Sequence, residues 1–141
     1  MKKLLMACSM YWNSPLQVGS HHLARAFVRR GWEVGFISYP LTPLHLPFLH
    51  LPEIRDRFRH CCAGSTRHLD GKLWAAVPFA LTAPANRPLL RSRWVHRHWQ
   101  QTALPSLGSI LRRQNFENVD LLYIDSPAQL DLLTRVTHDK S

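Results

Sequence analysis

The chain has 141 residues, 45% hydrophobic and 19% charged, which excludes a disordered tail and allows one domain burying roughly two thirds of its unfolded surface. Eighteen Lys plus Arg against nine Asp plus Glu leave a formal charge of +9 at pH 7, which points to an anionic neighbour: nucleic acid, an acidic membrane surface or a phosphate-bearing substrate. Cys8, Cys61 and Cys62 are too few and wrongly spaced for a disulfide framework, which favours a reducing compartment; no apolar run approaches the roughly 18 residues of a membrane-spanning helix, and the one before Cys8 falls short of the roughly 7 residues of a signal-peptide core.

In chain order, Leu4-Leu5-Met6-Ala7-Cys8 reads as a buried strand and Ser9 to Asn13 as a polar-aromatic loop. A helix is predicted over 14–30, with Ser14 as N-cap, Pro15 in the first turn, Gln17 completing a capping box and Gly31 as the stop. Leu16, Ser20, Leu23 and Phe27, flanked by Ala24 and Val28, form its packing stripe. Val34-Gly35-Phe36-Ile37 is a second strand, so the opening is a βαβ unit with parallel strands and a right-handed connection.

Pro40, Pro43, Pro47 and Pro52 then stand among Leu41, Leu44, Leu46, Phe48, Leu49 and Leu51. Proline at that density disfavours a helix interior and a central strand, so an extended apolar loop is predicted over 39–52, packed against the domain in preference to being offered to a partner or membrane. A short surface helix over 53–60, a turn-rich connection over 61–71, a strand over 73–77 and a loop from Phe79 to Pro88 follow. A helix is predicted over 89–104 and another over 105–114, the pair readable as one helix kinked at Pro105. Val119 to Ile124 is a further strand.

After it, Ser126-Pro127-Ala128-Gln129 repeats the Ser14-Pro15-Leu16-Gln17 device, with Leu130, Leu133 and Val136 as the expected buried stripe. Two strand-to-helix turns built alike predict neighbouring units of one parallel sheet, both turns lying at the carboxyl edge where open α/β sheets place ligands. The predicted fold class is therefore α/β, a Rossmann-like open, mostly parallel sheet with helices on both faces. At Asp139-Lys140-Ser141 the pattern asks for another strand, so the chain reads as an incomplete domain of a longer protein.

Motifs exclude several chemistries. Gly-x-Gly-x-x-Gly, the phosphate-binding lysine loop and the Gly-x-Ser-x-Gly elbow are all missing. His60, Cys61, Cys62 and His68 are metal-ligand types without a Cys-x-x-Cys pair, so no metal and no cofactor are expected. In the first loop, Tyr11 and Trp12 offer ring faces for a sugar, Asn13 an amide for hydroxyls, and the predicted helix start a place for phosphate; the alternative is that the two rings plug the sheet end. Asp125, at the end of the later strand, is a candidate general base or acceptor of a sugar hydroxyl, with a simple turn aspartate as the alternative. Arg87, Arg91, Arg93 and Arg97 surround Trp94 and Trp99, with His96 and His98 between them and Arg112-Arg113 following. This basic amphipathic element fits an anionic membrane surface, nucleic-acid phosphates, or a core tryptophan with solvated arginines.

Leu23-Ala24-Arg25-Ala26-Phe27-Val28-Arg29-Arg30-Gly31-Trp32-Glu33-Val34 resembles the first helix and second strand of two-domain glycosyltransferases of the GT-B fold, in which leucine-alanine-x-x-leucine precedes glycine, a bulky residue, glutamate and valine. Ser14-Pro15, the position of His21, the arginine-tryptophan stretch Arg91 to Trp99 and the strand Val119 to Asp125 resemble bacterial exopolysaccharide glucuronosyltransferases in particular. The glycine-rich turn of that fold is replaced by Asn13-Ser14-Pro15.

The resemblance implies that residues 1–141 are an amino-terminal, acceptor-side domain of a nucleotide-sugar-dependent transferase. It implies work on a lipid-linked saccharide in polysaccharide biosynthesis, in the cytoplasm and peripheral at the inner membrane. The nucleotide-sugar would be held mainly by a carboxyl-terminal domain, with the catalytic carboxylate beyond the last residue and no turnover by the chain alone. Tyr11, Trp12, Asn13, Ser14, His21 and Ser126 would bind substrate; Arg91, Arg93, Trp94, Arg97 and Trp99 would contact membrane or acceptor. The alternative is a non-catalytic basic α/β module binding nucleic acid or another anionic partner.

Overall fold

The computed structural model describes residues 1–85 and 87–140; Asn86 of the predicted loop and Ser141 of the expected terminal strand lie outside the described residues. In chain order the elements are β1 (Lys3–Ala7), α1 (Gly19–Arg29), β2 (Glu33–Ile37), α2 (Pro52–Ala63), β3 (Thr66–His68), β4 (Leu73–Ala76) and β5 (Phe79–Ala80), then α3 (Arg93–His98), β6 (Ala103–Leu104), α4 (Leu107–Gln114), β7 (Asn118–Ile124), α5 (Leu132–Arg135) and β8 (Thr137–Lys140). Among these the main sheet has six strands in the order β3-β4-β2-β1-β7-β8. Every pairing is parallel except β3 with β4, and the short β5–β6 pair stands apart as an antiparallel ribbon.

The period of β1 explains the layers. Leu5 and Ala7 face a core shared with Trp74, Trp99, Ile110, Leu111 and Phe116, whereas Leu4, Met6 and Cys8 face a core shared with Ala24, Val28, Val34 and Phe36. Alternate residues of one strand thus supply both faces, as a parallel strand covered on two sides requires. Each fully buried leucine contributes about 2 kcal/mol through apolar area removed from water. The predicted α/β class and the βαβ opening are found, and a strand, β8, already runs over Thr137–Lys140 where the sequence pattern asked for one only at the last three residues.

The end of α1 also follows the sequence. Gly31, at φ +84°, donates its N–H to the Val28 carbonyl at 3.0 Å, and the Trp32 N–H reaches the Phe27 carbonyl at 3.1 Å. Trp32 closes the motif with an edge contact on Phe27, ring centroids 4.9 Å apart. This is a Schellman stop with its apolar clasp.

The start of α1 differs from the prediction. The helix begins at Gly19, with Val18 as its N-cap, not at Ser14. Gln17 turns its amide back to donate to the carbonyls of Ser14 at 2.8 Å and Trp12 at 3.4 Å, so it closes a loop instead of a capping box. Leu16, expected on the packing stripe, is 65% exposed. His21 supplies the cap, its Nδ1 accepting the Val18 N–H at 3.3 Å. The second Ser-Pro-x-Gln segment behaves alike: Pro127–Gln129 is a single 3-10 turn with no capping bond from Ser126. Its buried stripe is Leu132 and Val136, whereas Leu130 and Leu133 are exposed. In both places the proline fits a tight turn as well as a first helical turn, and the backbone takes the shorter option.

The proline-rich segment also departs from an extended loop. Pro43–Phe48 forms a 3-10 helix started at Thr42, whose N–H donates to His45 Nδ1 at 3.1 Å. Leu41 packs fully, but Leu44, Leu46, Phe48 and Leu51 stay 44–47% exposed, so the expected packing is only partial. α2 runs through Cys61 and Cys62 to a stop at Gly64 (φ +80°), beyond the predicted 53–60. The predicted helix over 89–104 shrinks to the six residues of α3, one 3-10 turn and strand β6. Pro105 therefore separates β6 from α4 and kinks nothing; α4 starts at Ser106, whose hydroxyl accepts the Ser109 N–H at 3.2 Å.

Candidate functional site

The sheet order reverses between β1 and β7, so their carboxyl ends flank the crevice where open α/β sheets bind ligands. Two aspartates hold these strands at opposite ends. Asp120 accepts the Lys3 N–H at 2.7 Å at the amino edge, and Asp125 accepts the Ser9 N–H at 2.6 Å at the carboxyl edge, where its own N–H donates to the Ala7 carbonyl at 3.1 Å. Asp125 is exposed at the mouth, and the Ser9 contact makes it a bracket between two loops. Beneath it burial pushes the Cys8 thiol well above its ordinary range, with the Asp125 charge adding to the effect. Cys8 is a free thiol and is no nucleophile in that state.

Beside this bracket a cleft of about 340 Å³ opens between the segments that follow β2, β5 and β7. Tyr39, Pro84 and Ala85 form one wall, Ser126, Pro127 and Ala128 the other, and Arg91 and His96 supply the polar rim. The walls are fixed from behind. The buried Trp99 indole N–H donates to the Ala128 carbonyl at 2.6 Å. The Tyr39 hydroxyl donates to the Pro84 carbonyl, and Arg57 Nη2 donates to the Tyr39 carbonyl at 3.0 Å. Burial pushes the Tyr39 phenol upward, so it remains a neutral donor. The result is an open, largely apolar cleft with an exposed arginine and an imidazole at its edge, suited to a polar ligand with ring faces and hydroxyls or an acidic group.

The structure sorts the predicted residues. Ser126 and Arg91 meet in this cleft. Arg93 and Arg97 are exposed on α3 beside Trp94, which is 62% exposed and stacks on His98. Trp99 is fully buried and bonded to Ala128, so it is a core residue and not a surface contact.

Tyr11, Trp12 and His21 are likewise packed rather than offered to a ligand. Tyr11 is 4% exposed; its hydroxyl donates to Asp56 Oδ2 at 2.6 Å and touches His60 Nδ1, tying the first loop to α2. Trp12 has His21 stacked at 5.4 Å, the Arg25 guanidinium at 5.6 Å and the Phe36 edge at 5.2 Å, which leaves no ring face for a sugar. His21 has no accessible surface: with Nδ1 accepting from Val18, Nε2 carries the proton and donates to the Tyr11 carbonyl at 3.0 Å. Ser14 is buried in the loop closed by Gln17, and Asn13 alone of this group is exposed.

Tyr39 and Pro84 are cleft residues that the sequence pattern did not single out, whereas His96 was read only as part of the basic stretch around Trp94. Tyr39 had a legible signal, because it follows β2 at the same sheet edge as Ser9 and Asp125. Pro84 had none, since it reaches the cleft through an irregular loop.

A parallel sheet with helices on both faces, one antiparallel edge strand and a cleft at the carboxyl edge is the architecture of half of a GT-B glycosyltransferase, the class to which this domain conforms. The family model for "Glucuronosyltransferase GumK, N-terminal domain" matches residues 6–139, and the chain belongs to that family. No curated protein matches the sequence.

Proposed function

We propose that this domain is the acceptor-side half of a transferase that moves a sugar from a nucleotide-sugar donor to a lipid-linked saccharide in polysaccharide biosynthesis. The observation that carries the reading is the cleft at the carboxyl edge, in a chain whose family is that of a glucuronosyltransferase amino-terminal domain. In this reading the acceptor saccharide lies between the Tyr39–Pro84 and Ser126–Ala128 walls. Arg91 and His96 orient it from the rim, and Asn13 and Ser126 supply hydrogen bonds. Asp125 positions the Ser9 loop. The donor nucleotide binds mainly to a second domain facing this edge, and the chain alone turns nothing over.

The domain works at the cytoplasmic face of the inner membrane as a peripheral protein. Support comes from Trp94, Arg93 and Arg97 standing exposed together on α3 and from the net charge of +9. No helix among the described residues is long and apolar enough to cross a membrane.

Sedimentation with anionic vesicles and binding to duplex DNA, measured side by side, test the membrane part. Preferential vesicle binding that weakens in Trp94→Ala and Arg97→Gln supports it, whereas steeply salt-dependent DNA binding without vesicle preference favours the nucleic-acid module. The transfer part is tested by saturation-transfer NMR with oligosaccharides. A transfer signal that disappears in Ser126→Val and Arg91→Gln supports the cleft as the acceptor site, and an unchanged signal in both refutes it.

A further inference from the structure

An open cleft of about 300 Å³ lies at the amino edge of the sheet, where the second half of α1 meets the turn between β3 and β4. Arg25, Val28 and Arg29 line it from the helix, and Leu69, Asp70 and Lys72 from the turn. Arg25 and Arg29 are four positions apart and so share one helix face. The Arg25 guanidinium lies over the Trp12 ring, 5.6 Å from its centroid, which holds it in place. Neither ion pair among the described residues involves Arg25, Arg29, Lys72 or Asp70.

The turn has a backbone that folding alone does not favour. Leu69 (φ 49°), Asp70 (φ 55°) and Gly71 (φ 81°) are three successive left-handed residues. The Gly71 N–H donates to the His68 carbonyl at 3.1 Å, the Lys72 N–H to the Leu69 carbonyl at 3.2 Å, and Arg67 Nη1 braces the Gly71 carbonyl at 3.0 Å. Glycine takes that region freely and aspartate tolerates it, but for leucine it is costly. The strain places an apolar side chain, 39% exposed, in the cleft instead of the core, and such strain concentrates where a ligand is held.

Three cations against one carboxylate select an anion. Asp70 narrows the choice: it opposes a phosphate, with its nearly two charges, more than a singly charged carboxylate, and it accepts hydroxyl protons. Val28 and Leu69 add an apolar floor for a ring face. A carboxylate, hydroxyls and an apolar ring face occur together in a uronic acid.

We propose that this cleft binds an acidic saccharide, a pyranose that bears a carboxylate. Arg25 and Arg29 hold the carboxylate with Lys72 alongside, the ring lies on Val28 and Leu69, and the hydroxyls donate to Asp70. The site and the acceptor cleft are at opposite edges of the sheet, so a uronate-bearing chain stays on the domain without occupying that cleft. The inference stands whether or not the domain serves sugar transfer.

NMR titration of the chain with trigalacturonate, its methyl ester and maltotriose tests it. Trigalacturonate should shift the amides of residues 25–29 and 69–72 saturably, with the ester and maltotriose at least about tenfold weaker because the charge-assisted hydrogen bonds are lost. Arg29→Gln and Lys72→Gln should each weaken binding about fivefold, and Leu69→Gly should weaken it without lowering the urea midpoint, since glycine accepts the left-handed backbone. Arg113→Gln, the same charge change at an exposed position on α4, should leave it unchanged. Asp70→Asn should raise affinity for inorganic phosphate more than for trigalacturonate. Equal affinity for maltotriose, the ester or triglutamate, or equal weakening by Arg113→Gln, overturns the proposal. Tighter binding of duplex DNA, lost in Arg29→Gln and Lys72→Gln, makes the cleft a nucleic-acid site and overturns it too. Trigalacturonate binding that is lost in Arg91→Gln and kept in Arg29→Gln belongs to the acceptor cleft and overturns this site alone.

Discussion

Trp94 and Trp99 are five positions apart on the same basic stretch, and the fold gives them opposite duties. Trp99→Phe removes the indole N–H that meets the Ala128 carbonyl at 2.6 Å and leaves that carbonyl buried without its donor. An orphaned buried acceptor costs about 1–3 kcal/mol, and the space vacated by the smaller ring in a fully buried site adds about 1 kcal/mol. The expected loss is thus about 3 kcal/mol, a fall in melting temperature of about 6–12 °C for a chain of this size. Trp94→Ala, at a side chain 62% exposed, should stay within about 0.5 kcal/mol of the parent. Urea unfolding followed by far-ultraviolet circular dichroism, with thermal melts as a second measure, compares the two. A near-neutral Trp99→Phe, or a Trp94→Ala as damaging as Trp99→Phe, would refute the assignment of Trp99 to the wall of the cleft.

Gly35 predicts a similar contrast. A Cβ there would lie 2.4 Å from Trp74 Cζ2 and 3.1 Å from Leu5 Cδ1, so Gly35→Ala should cost about 3 kcal/mol by overpacking, while Gly19→Ala, with nothing within 4 Å, should be neutral or slightly stabilising in the same urea assay. Asp125→Ala should speed exchange of the Ser9 amide about tenfold by removing its acceptor, whereas Asp125→Asn keeps an acceptor and most of the protection; equal protection in all three proteins would contradict the bracket. Burial lowers the pKa of both His45 and His68 from the ordinary 6.5, with Arg57 and His60 respectively adding to the effect. The unfolded chain therefore takes up protons below pH 6.5 that the folded chain resists, so stability is full above about pH 7 and falls as the pH drops below 6.5. His45→Asn and His68→Gln together should flatten that decline in urea midpoints measured from pH 7 to 5, and an unchanged slope would count against these histidines as its source.

The central strand was legible because burial on two faces leaves a continuous apolar run, Leu4 to Cys8, the strand from Val119 to Ile124 was legible from apolar and aromatic residues that outnumber its one aspartate, and Gly31 was legible because only a residue free to take positive φ ends α1 there. Helix starts were not. Ser14 and Ser126 have the right chemistry for caps, yet proline beside them serves a tight turn equally well, and which wins depends on where the strand end delivers the chain. Histidine proved to be the missing signal. His21 and His45 each stand three residues after a helix-entry residue and accept its N–H, the part that glutamate or glutamine has in a capping box. Two residues named from the sequence, Ser126 and Arg91, line the cleft at the sheet's carboxyl edge. Of the two readings open for Tyr11 and Trp12, the packed one holds, because sequence shows which rings are available but not that His21, Arg25 and α2 cover them.

The reversed strand β3 governs how this molecule meets copies of itself. A parallel sheet that stopped at β4 would present a row of free amides and carbonyls to any other extended chain. β3 covers that row, and it is three residues long, too short to template a neighbour well. Its central Arg67 binds the Gly71 carbonyl at 3.0 Å and the Gln114 amide oxygen at 2.9 Å, and pairs with Glu33 at 3.5 Å. A charged side chain braced on three segments of the same chain lies along the rim, so this margin of the sheet resists the edge-to-edge association that leads to aggregates.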